Sequence, residues 1–462
     1  MQITDLTLSQ AADQIAHGEL SPVALTEAYL ARIAALNPTL NAYLTVTAER
    51  ALEIARRAEQ DIKAGHYRGP LHGIPVGVKD LYETAGVLTT VGTVVYRAYI
   101  PNRSAHVVDK LEAAGAVLLG KLNMHEIALG VINDNPHYGR CCNPYNLECS
   151  PGGSSGGSGA ALAARLCLGS LGSDTRGSIR IPAALCGVVG LKPTYGRLSL
   201  RGVMPLAWSL DHAGPMARTV EDCALIYMAI AGYDPNDPYC ADMPVDNVLL
   251  KLDAGVKGVR IGVPRDAYFR EVEPEVAQAF EASLIVFETL GARLHEVDLS
   301  KVAEESRLSR LITSAEAGAI YADQVREHPE LFGADVLARL KNETGTASDY
   351  ARARRAQVMV RHEMAWLFRE YDLLMTPTTP FTDVPFEDAD RVEQARARLS
   401  SLTAPFNMAG VPTISVPNGI GKRGIPTGLQ IAAPMWTEGR VFRAAYAFEQ
   451  ATDWHKYAPK LT

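Results

Sequence analysis

The residues with the clearest chemical potential are serines set in glycine-rich backbone. A run of five glycines and three serines extends from Gly152 to Gly159 and includes Ser154. A second segment, Gly172–Arg180, reads Gly-Ser-Asp-Thr-Arg-Gly-Ser-Ile-Arg and places Ser178 24 residues after Ser154. Glycine lets the backbone approach another group closely, and apolar sequence lies next to both segments. We therefore predict a buried active-site loop rather than a flexible linker.

A serine hydroxyl becomes a nucleophile only when a base takes its proton, and histidine is the usual base. Gly153–Gly157 matches the G-x-S-x-G pattern with Ser155 at its centre. That pattern requires a strand before it and a catalytic histidine late in the chain. Tyr145–Pro151 is no clean strand, and the last three histidines lie in charged helical or terminal sequence. A Ser-His-Asp site is therefore the weaker interpretation.

A lysine offers the alternative base. Lys79 follows Ile74, Val76 and Val78 in a short apolar run, which favours a strand that delivers the amine into the interior. Lysine acts as a base only when neutral, and its unperturbed pKa of about 10.4 falls when the amine is buried. The competing interpretation is a structural lysine paired with Asp80 at a strand end.

Together these segments resemble the amidase signature family of hydrolases. The likeness rests on the Gly/Ser run, the Gly172–Arg180 block and the upstream Val-Lys-Asp. It continues in Pro182–Arg197, Asn407–Pro417 and Gly428–Gln430, and it is weak in residues 300–400. The resemblance implies an α/β fold, the amidase signature fold, with a large twisted mixed β-sheet covered by helices on both faces.

The resemblance also implies catalytic roles. Lys79 matches the family's base, Ser154 its bridging serine, which follows a cis peptide bond, and Ser178 its nucleophile. In this Ser-cisSer-Lys triad, neutral Lys79 draws a proton through Ser154 from Ser178. Ser178 then attacks the carbonyl carbon and forms an acyl-enzyme. The relay returns the proton to the leaving amine, and water repeats the cycle.

Backbone N–H groups in the tight turn before the nucleophile match the family's oxyanion hole. Thr175, Arg176 and Gly177 occupy these oxyanion and substrate-binding positions. The commoner family pattern has glycine where Arg176 stands, and our hypothesis is that Arg176 holds an acidic or polar substrate group. Asp174 and Arg180 are expected to brace the turn rather than to react.

Two functions would use the same triad. The first, which we predict, is a stand-alone hydrolase of a small amide, carbamate or urea. The second is the family's glutamine-hydrolysing A subunit of a tRNA-dependent amidotransferase, which works only with partner subunits and passes ammonia on. Such subunits carry an aspartate for the glutamine amino group shortly before the Asn-x-Ala-Gly block, whereas Arg398–Pro405 contains serines and no acid. A catalytically silent binding protein is a third alternative, disfavoured because the triad positions are retained.

The rest of the chain alternates helical and strand patterns, as expected for helices packed on a largely parallel or mixed sheet. Apolar spacing and capping residues predict four helices and a buried strand among other elements: a helix capped by Ser21 with Pro22 in its first turn, a helix from Ala48 to Lys63, a helix Ala105–Ala114 capped by Ser104, a helix over Ala160–Cys167, and the strand Ala116–Leu119.

We predict one amidase domain over residues 1–462. Its parts are N-terminal covering helices at 1–65, the signature core at 66–232, the rest of the sheet at 258–300 and 370–452, and a variable helical insert at 301–368. The irregular loop 130–150 leads into the Gly/Ser run and is expected to line the pocket.

Bulk composition narrows the choice of partners. The net charge is −7 and no Lys/Arg-rich block occurs, which predicts no nucleic-acid partner. No apolar run reaches the ~18 residues of a membrane span. Seven cysteines, an odd number, favour a reduced, cytoplasmic setting over a disulfide scaffold. The expected partners are a small-molecule amide substrate and water. The oligomeric state is left open, a homo-oligomer included.

Neither a metal nor another cofactor is predicted. His125-Glu126 and His362-Glu363 each begin an H-E-x-x-H pattern, but its closing position holds leucine or tryptophan. The Gly/Ser run also lacks the lysine of a phosphate-binding loop.

Overall fold

The computed structural model describes residues 2–342 and 344–461. In this part of the chain, eleven strands form one mixed sheet in the order β1-β3-β2-β4-β6-β5-β10-β11-β9-β7-β8. The strands are β1 (Tyr43–Val46), β2 (Pro75–Lys79), β3 (Val117–Leu122), β4 (Gly169–Ser173), β5 (Val189–Lys192), β6 (Ala213–Ala217), β7 (Arg260–Pro264), β8 (Arg293–Val297), β9 (Leu373–Pro377), β10 (Thr413–Ile420) and β11 (Pro426–Ala432).

Helices cover both faces of this sheet, so the predicted fold class is confirmed. The α-helices in the described residues are α1 (Leu8–Ala16), α2 (Pro22–Leu40), α3 (Ala48–Lys63), α4 (His106–Ala113), α5 (Gly156–Ala163), α6 (Arg180–Leu185), α7 (Val220–Ile230), α8 (Ala267–Arg270), α9 (Pro274–Thr289), α10 (Ser300–Ser306), α11 (Ser309–Ile320), α12 (Ala322–Glu327), α13 (Ala334–Asn342), α14 (Ala347–Glu370), α15 (Ala389–Arg398), α16 (Ala404–Ala409) and α17 (Glu438–Gln450).

The centre of the sheet explains why its strands read as apolar runs. Strand β2 pairs in parallel with β3 on one side and β4 on the other, and all five of its residues are buried. A strand covered on both faces favours apolar residues at every position. The one charged residue of β2, Lys79, is therefore buried at its end, where the sequence places it.

The N-terminal helices follow the predicted signals. The Ser21 hydroxyl accepts hydrogen bonds from the N–H groups of Val23 and Ala24, both at 3.1 Å, and Pro22 opens α2. Helix α3 has the predicted bounds. The sequence analysis missed β1, a four-residue strand between these helices that pairs antiparallel with β3.

Two local predictions are wrong. Ser104 does not cap α4, because its hydroxyl accepts a hydrogen bond from the N–H of Ala85 at 3.0 Å instead. The helix predicted over Ala160–Cys167 is α5, which begins four residues earlier inside the Gly/Ser run. Glycine is a poor helix former, but a Cβ at Gly157 would lie 2.5 Å from the Asn123 backbone, so close packing requires it there.

No helix in the described residues is both long enough and apolar enough to cross a membrane. All seven cysteines are free thiols, so the chain is no disulfide scaffold, as predicted.

Candidate active site

Strand pairing assembles the first half of the site. Because β2 and β4 are parallel neighbours, with Val78 opposite Leu171, their carboxyl ends lie at the same edge of the sheet. Lys79 ends β2 and Ser173 ends β4. The two side chains meet there, although they are far apart in the sequence.

The Lys79 amine is buried and binds two hydroxyls. Its Nζ donates to Ser154 Oγ at 2.7 Å and to Ser173 Oγ at 2.8 Å, and the side chain is 0% exposed. Burial lowers the pKa of Lys79 to about 7, against the opposing charges of Asp174 and Asp211. The amine is therefore close to half neutral at pH 7, which suits a base.

The competing structural interpretation of Lys79 does not fit. Asp80 accepts hydrogen bonds from the N–H and hydroxyl of Thr90, and its Oδ1 lies 3.4 Å from the amine of Lys121. Lys121, rather than Lys79, is thus the partner of this carboxylate.

The Gly/Ser run is an interior loop, as predicted. Residues 151–159 are all buried, and the peptide bond between Gly153 and Ser154 is cis. The cis bond stands at the position that the family resemblance implies. The carbonyl of Ser154 accepts a hydrogen bond from the N–H of His125 at 3.2 Å, which fixes the loop against the segment after β3.

Ser178 lies next to this loop. The N–H of Ser155 donates to the carbonyl of Ser178 at 3.2 Å, and Ser178 is 6% exposed, more than Ser154 at 0%. The hydrogen bonds of the Lys79 amine reach Ser154 and Ser173 and do not extend to Ser178. The contact between Lys79 and Ser154 is formed, and the catalytic roles of Lys79, Ser154 and Ser178 stay predictions.

Ser155 is held by backbone rather than by a base. Its hydroxyl donates to the carbonyl of Ser173 and accepts from the N–H of the same residue, both at 3.2 Å. A hydroxyl committed in both directions to a neighbouring strand is poorly placed to attack a substrate. This geometry argues against the Ser-His-Asp interpretation.

Asp174 and Arg180 brace the turn before the nucleophile, as expected. Both side chains are 0% exposed, and two guanidinium nitrogens of Arg180 each donate to an Asp174 oxygen at 2.9 Å. Arg180 also donates to Gln430 at 2.7 Å and to Asn407 at 2.5 Å. Burial would raise the pKa of Asp174, but the charge of Arg180 and these hydrogen bonds hold it well below its usual range.

The turn itself is tightly constrained. The N–H of Gly177 donates to Asp174 at 2.7 Å, so this donor is already occupied. Gly177 has a φ of 129°, and a Cβ there would lie 2.1 Å from the Thr403 hydroxyl oxygen. Thr175 donates its hydroxyl to Asp211 at 2.6 Å, and Arg176 Nε donates to Ser309 at 3.2 Å. The oxyanion-hole role of Thr175, Arg176 and Gly177 stays a prediction.

Sequence reasoning missed three polar residues around the turn. Ser173 contacts the lysine, Thr403 donates its hydroxyl to the carbonyl of Arg176 at 2.5 Å, and Asp211 holds Thr175. Burial raises the pKa of Asp211 to about 6, although hydrogen bonds from Thr175 and two backbone N–H groups oppose the shift. Only Ser173 carried a signal, because it lies directly before the Asp-Thr of the motif.

Known proteins resemble this chain over nearly its whole length. A family model described as Amidase matches residues 24–442. The A subunit of glutamyl-tRNA(Gln) amidotransferase from Geobacter sp. strain M21 is 40% identical over 487 aligned positions, covering 99% of this chain and 100% of that protein.

Solved structures extend the comparison. The Thermotoga maritima protein of the same name superimposes with a TM-score of 0.83 at 31% identity, over 97% of this chain and 95% of that one. A chain from "an unexpected vestigial protein complex", described as revealing the origins of "an s-triazine catabolic enzyme", superimposes with a TM-score of 0.91 at 35% identity, over 96% and 98%.

These findings correct two predictions. A stand-alone hydrolase of small amides is wrong, because the relatives that match nearly the whole chain are named as the A subunit of an amidotransferase. The predicted partners, a small-molecule amide and water with no nucleic acid, are wrong for the same reason. The net charge of one chain was a poor guide, since one member of a complex need not bind the tRNA itself. The absence of an acid in Arg398–Pro405 bears on a single contact, the one expected for the glutamine amino group.

Proposed function

The chain belongs to the amidase family, and on that premise we propose that it is the A subunit of a glutamyl-tRNA(Gln) amidotransferase. One observation carries the proposal: curated relatives with that name match 97–100% of this chain at 39–42% identity. The chain hydrolyses the side-chain amide of glutamine. Its partner subunits transfer the released ammonia to glutamate on tRNA.

The proposed chemistry begins with the buried amine. Neutral Lys79 takes the hydroxyl proton of Ser154, which in turn takes the proton of Ser178 as Ser178 Oγ attacks the amide carbon. A pKa near 7 supports this role, because a substantial neutral fraction exists at physiological pH. The hydrogen bond between Lys79 and Ser154 supports the first transfer.

The tetrahedral intermediate then collapses. The carbon–nitrogen bond breaks, the proton held by the relay passes back to the nitrogen, and ammonia leaves a glutamyl ester on Ser178. Water attacks this ester with its proton moving along the same relay, which releases glutamate and restores the serine. The turn around Thr175 and Arg176 supplies backbone donors to the oxyanion, and the Asp174–Arg180 brace keeps that turn rigid.

Reconstitution tests the proposal. The chain is purified alone and together with the other amidotransferase subunits of its own organism. Glutamine hydrolysis and conversion of glutamyl-tRNA(Gln) to glutaminyl-tRNA(Gln) are then measured. Both activities are expected in the complex, and Ser178→Ala should abolish both. Ser155→Ala is the matched control, because it removes the neighbouring hydroxyl that is bound to backbone, and it should retain Ser178 labelling by a fluorophosphonate.

A complex that assembles but neither hydrolyses glutamine nor amidates the tRNA would overturn the proposal. So would equal glutaminase activity in the isolated chain with no tRNA amidation on addition of the partners.

A further inference from the structure

A cavity lined in part by Arg176 of the turn before Ser178 is rich in arginine. Its volume is about 290 Å³. We call it the arginine cavity after the four arginines among its described lining residues, which are Arg176, Arg307, Arg310 and Arg398. The cavity lies where the end of α10, the start of α11 and the end of α15 meet the turn. Three separate segments of chain thus direct basic residues toward one space beside the candidate active site.

The arginine cavity adjoins the reacting centre through the backbone. Arg176 is two residues before Ser178, so their Cα atoms are at most about 7.6 Å apart. The carbonyl of Arg176 accepts the Thr403 hydroxyl at 2.5 Å, and the next residue, Ala404, lines the cavity. One wall of the cavity therefore lies close to Ser178 along the backbone.

Basic residues outnumber acidic ones in the described lining of the arginine cavity. Among its described lining residues Glu271 is the one acid, and it is engaged by Arg398, whose Nη1 lies 3.0 Å from its Oε1. Burial raises the pKa of Tyr268, another lining residue, while the charges of Arg176, Arg307 and Arg398 oppose that shift. The positive charges of Arg176, Arg307 and Arg398 therefore all act on Tyr268, in one wall of the cavity.

A second observation points to a ligand. Ser306 lines the arginine cavity, is 1% exposed, and its hydroxyl has no hydrogen-bond partner within the described chain. Buried hydroxyls are normally satisfied, so an orphaned one next to arginines is suited to donate to an incoming acceptor. Guanidinium groups and a hydroxyl together match a carboxylate, which accepts several hydrogen bonds through two oxygens.

The segment beside the arginine cavity lacks the complementary acid. Arg398–Pro405 contributes Arg398, Ser401 and Ala404 to the wall and contains no carboxylate that could hold an ammonium group. Glu271 is already paired with Arg398. The lining is thus better suited to bind a negatively charged group than a positively charged one.

We propose that the arginine cavity binds the carboxylate of the amide donor and that this chain selects its donor by that carboxylate rather than by an α-amino group. The proposal rests on the proposed function and narrows the donor to ω-amides of dicarboxylic acids. Glutamine belongs to this class, and so does glutaramate, which has the same chain without the amino group. A neutral diamide does not.

The test compares three donors in the assembled complex: glutamine, glutaramate and the neutral glutaramide. We expect kcat/KM for glutaramate to lie within about tenfold of that for glutamine. For glutaramide we expect kcat/KM to be about tenfold or more below that for glutamine, which is the usual effect of losing a charged hydrogen-bonding group. Arg307→Met should lower kcat/KM about tenfold for both anionic donors and leave glutaramide unchanged. Unchanged glutaramide turnover also shows that the variant is folded.

Arg265→Met is the control for removal of an arginine elsewhere. Arg265 pairs with Glu281 at 2.5 Å and lies outside the described lining of the arginine cavity, so all three donors should react as in the wild type. The proposal is overturned if glutamine is hydrolysed but glutaramate is not. It is also overturned if Arg307→Met lowers kcat/KM equally for all three donors. Either result leaves the proposed function intact. Hydrolysis of anionic amides without any tRNA amidation would instead refute the proposed function alone.

Discussion

At the scale of single residues, the site depends on Lys79, whose buried environment disfavours the charged form of its amine. Lys79 is 0% exposed, and burial lowers its pKa to about 7. In the unfolded chain the same amine has a pKa of about 10.4. Between these values the unfolded state binds a proton that the folded state does not, so the wild-type protein gains stability as pH rises from about 7 to about 10. The burial that suits Lys79 to act as a base therefore lowers the stability of the folded protein at neutral pH.

Replacement of Lys79 by methionine should therefore stabilise the inactive protein. Removing the buried amine relieves a penalty on the order of 4 kcal/mol at pH 7, partly offset by two hydroxyls left without a donor, for a net gain of about 1–3 kcal/mol. Melting temperatures measured from pH 7 to pH 10 should show the gain of Lys79→Met shrinking as pH rises. Exposed Lys251→Met provides the control and should show no such trend. A gain that grows with pH would contradict the assigned pKa direction.

At the scale of elements, the turn before Ser178 is held by a buried ion pair that ties β4 to α6 and α16. Asp174 follows β4, Arg180 begins α6, and Asn407 of α16 donates to Asp174 at 2.8 Å. Removing one member of a buried pair leaves the other charge unpaired, which commonly costs about 3–5 kcal/mol. The turn therefore depends on residues from three regions of the sequence.

Asp174→Asn should lower the stability of the protein by about 3 kcal/mol and reduce amide hydrolysis as the turn loosens. The surface pair of Arg260 and Asp372, at 3.2 Å, offers the matched control. Asp372→Asn should change stability by less than about 1 kcal/mol. Urea denaturation with activity assays on the same samples checks both. Equal destabilisation by the two substitutions would show that burial of the Asp174 pair is unimportant.

The elements also show what could be read from the sequence and what could not. Helix α3 follows from the sequence with its bounds because its apolar spacing is a local signal. Helix α5 was placed too late, because the tight packing around Gly157 depends on the distant Asn123 backbone. Likewise Lys79 could be identified from a motif, whereas its second contact, Ser173, depends on the parallel pairing of β2 and β4. Ser173 lies within the motif, but its contact with Lys79 follows only from the pairing of two distant strands.

At the scale of the whole molecule, the fold brings Lys79, Ser154 and Ser178, the proposed base, bridging serine and nucleophile, from separate parts of the chain to one region. The family model matches residues 24–442, and full-length relatives are subunits of a larger enzyme. The net charge of −7 describes this chain and not an assembly, so it does not bear on the proposed tRNA-dependent function. The surface of one protein in a complex does not reveal what its partners bind.

The most direct test of the relay is the rate at which a fluorophosphonate modifies Ser178 as a function of pH, with the labelled residue identified by mass spectrometry. We expect the rate to rise with pH through an apparent pKa near 7, as Lys79 loses its proton, and to fall by several orders of magnitude in Lys79→Met. Labelling of Ser155, or an undiminished rate in Lys79→Met, would contradict the account.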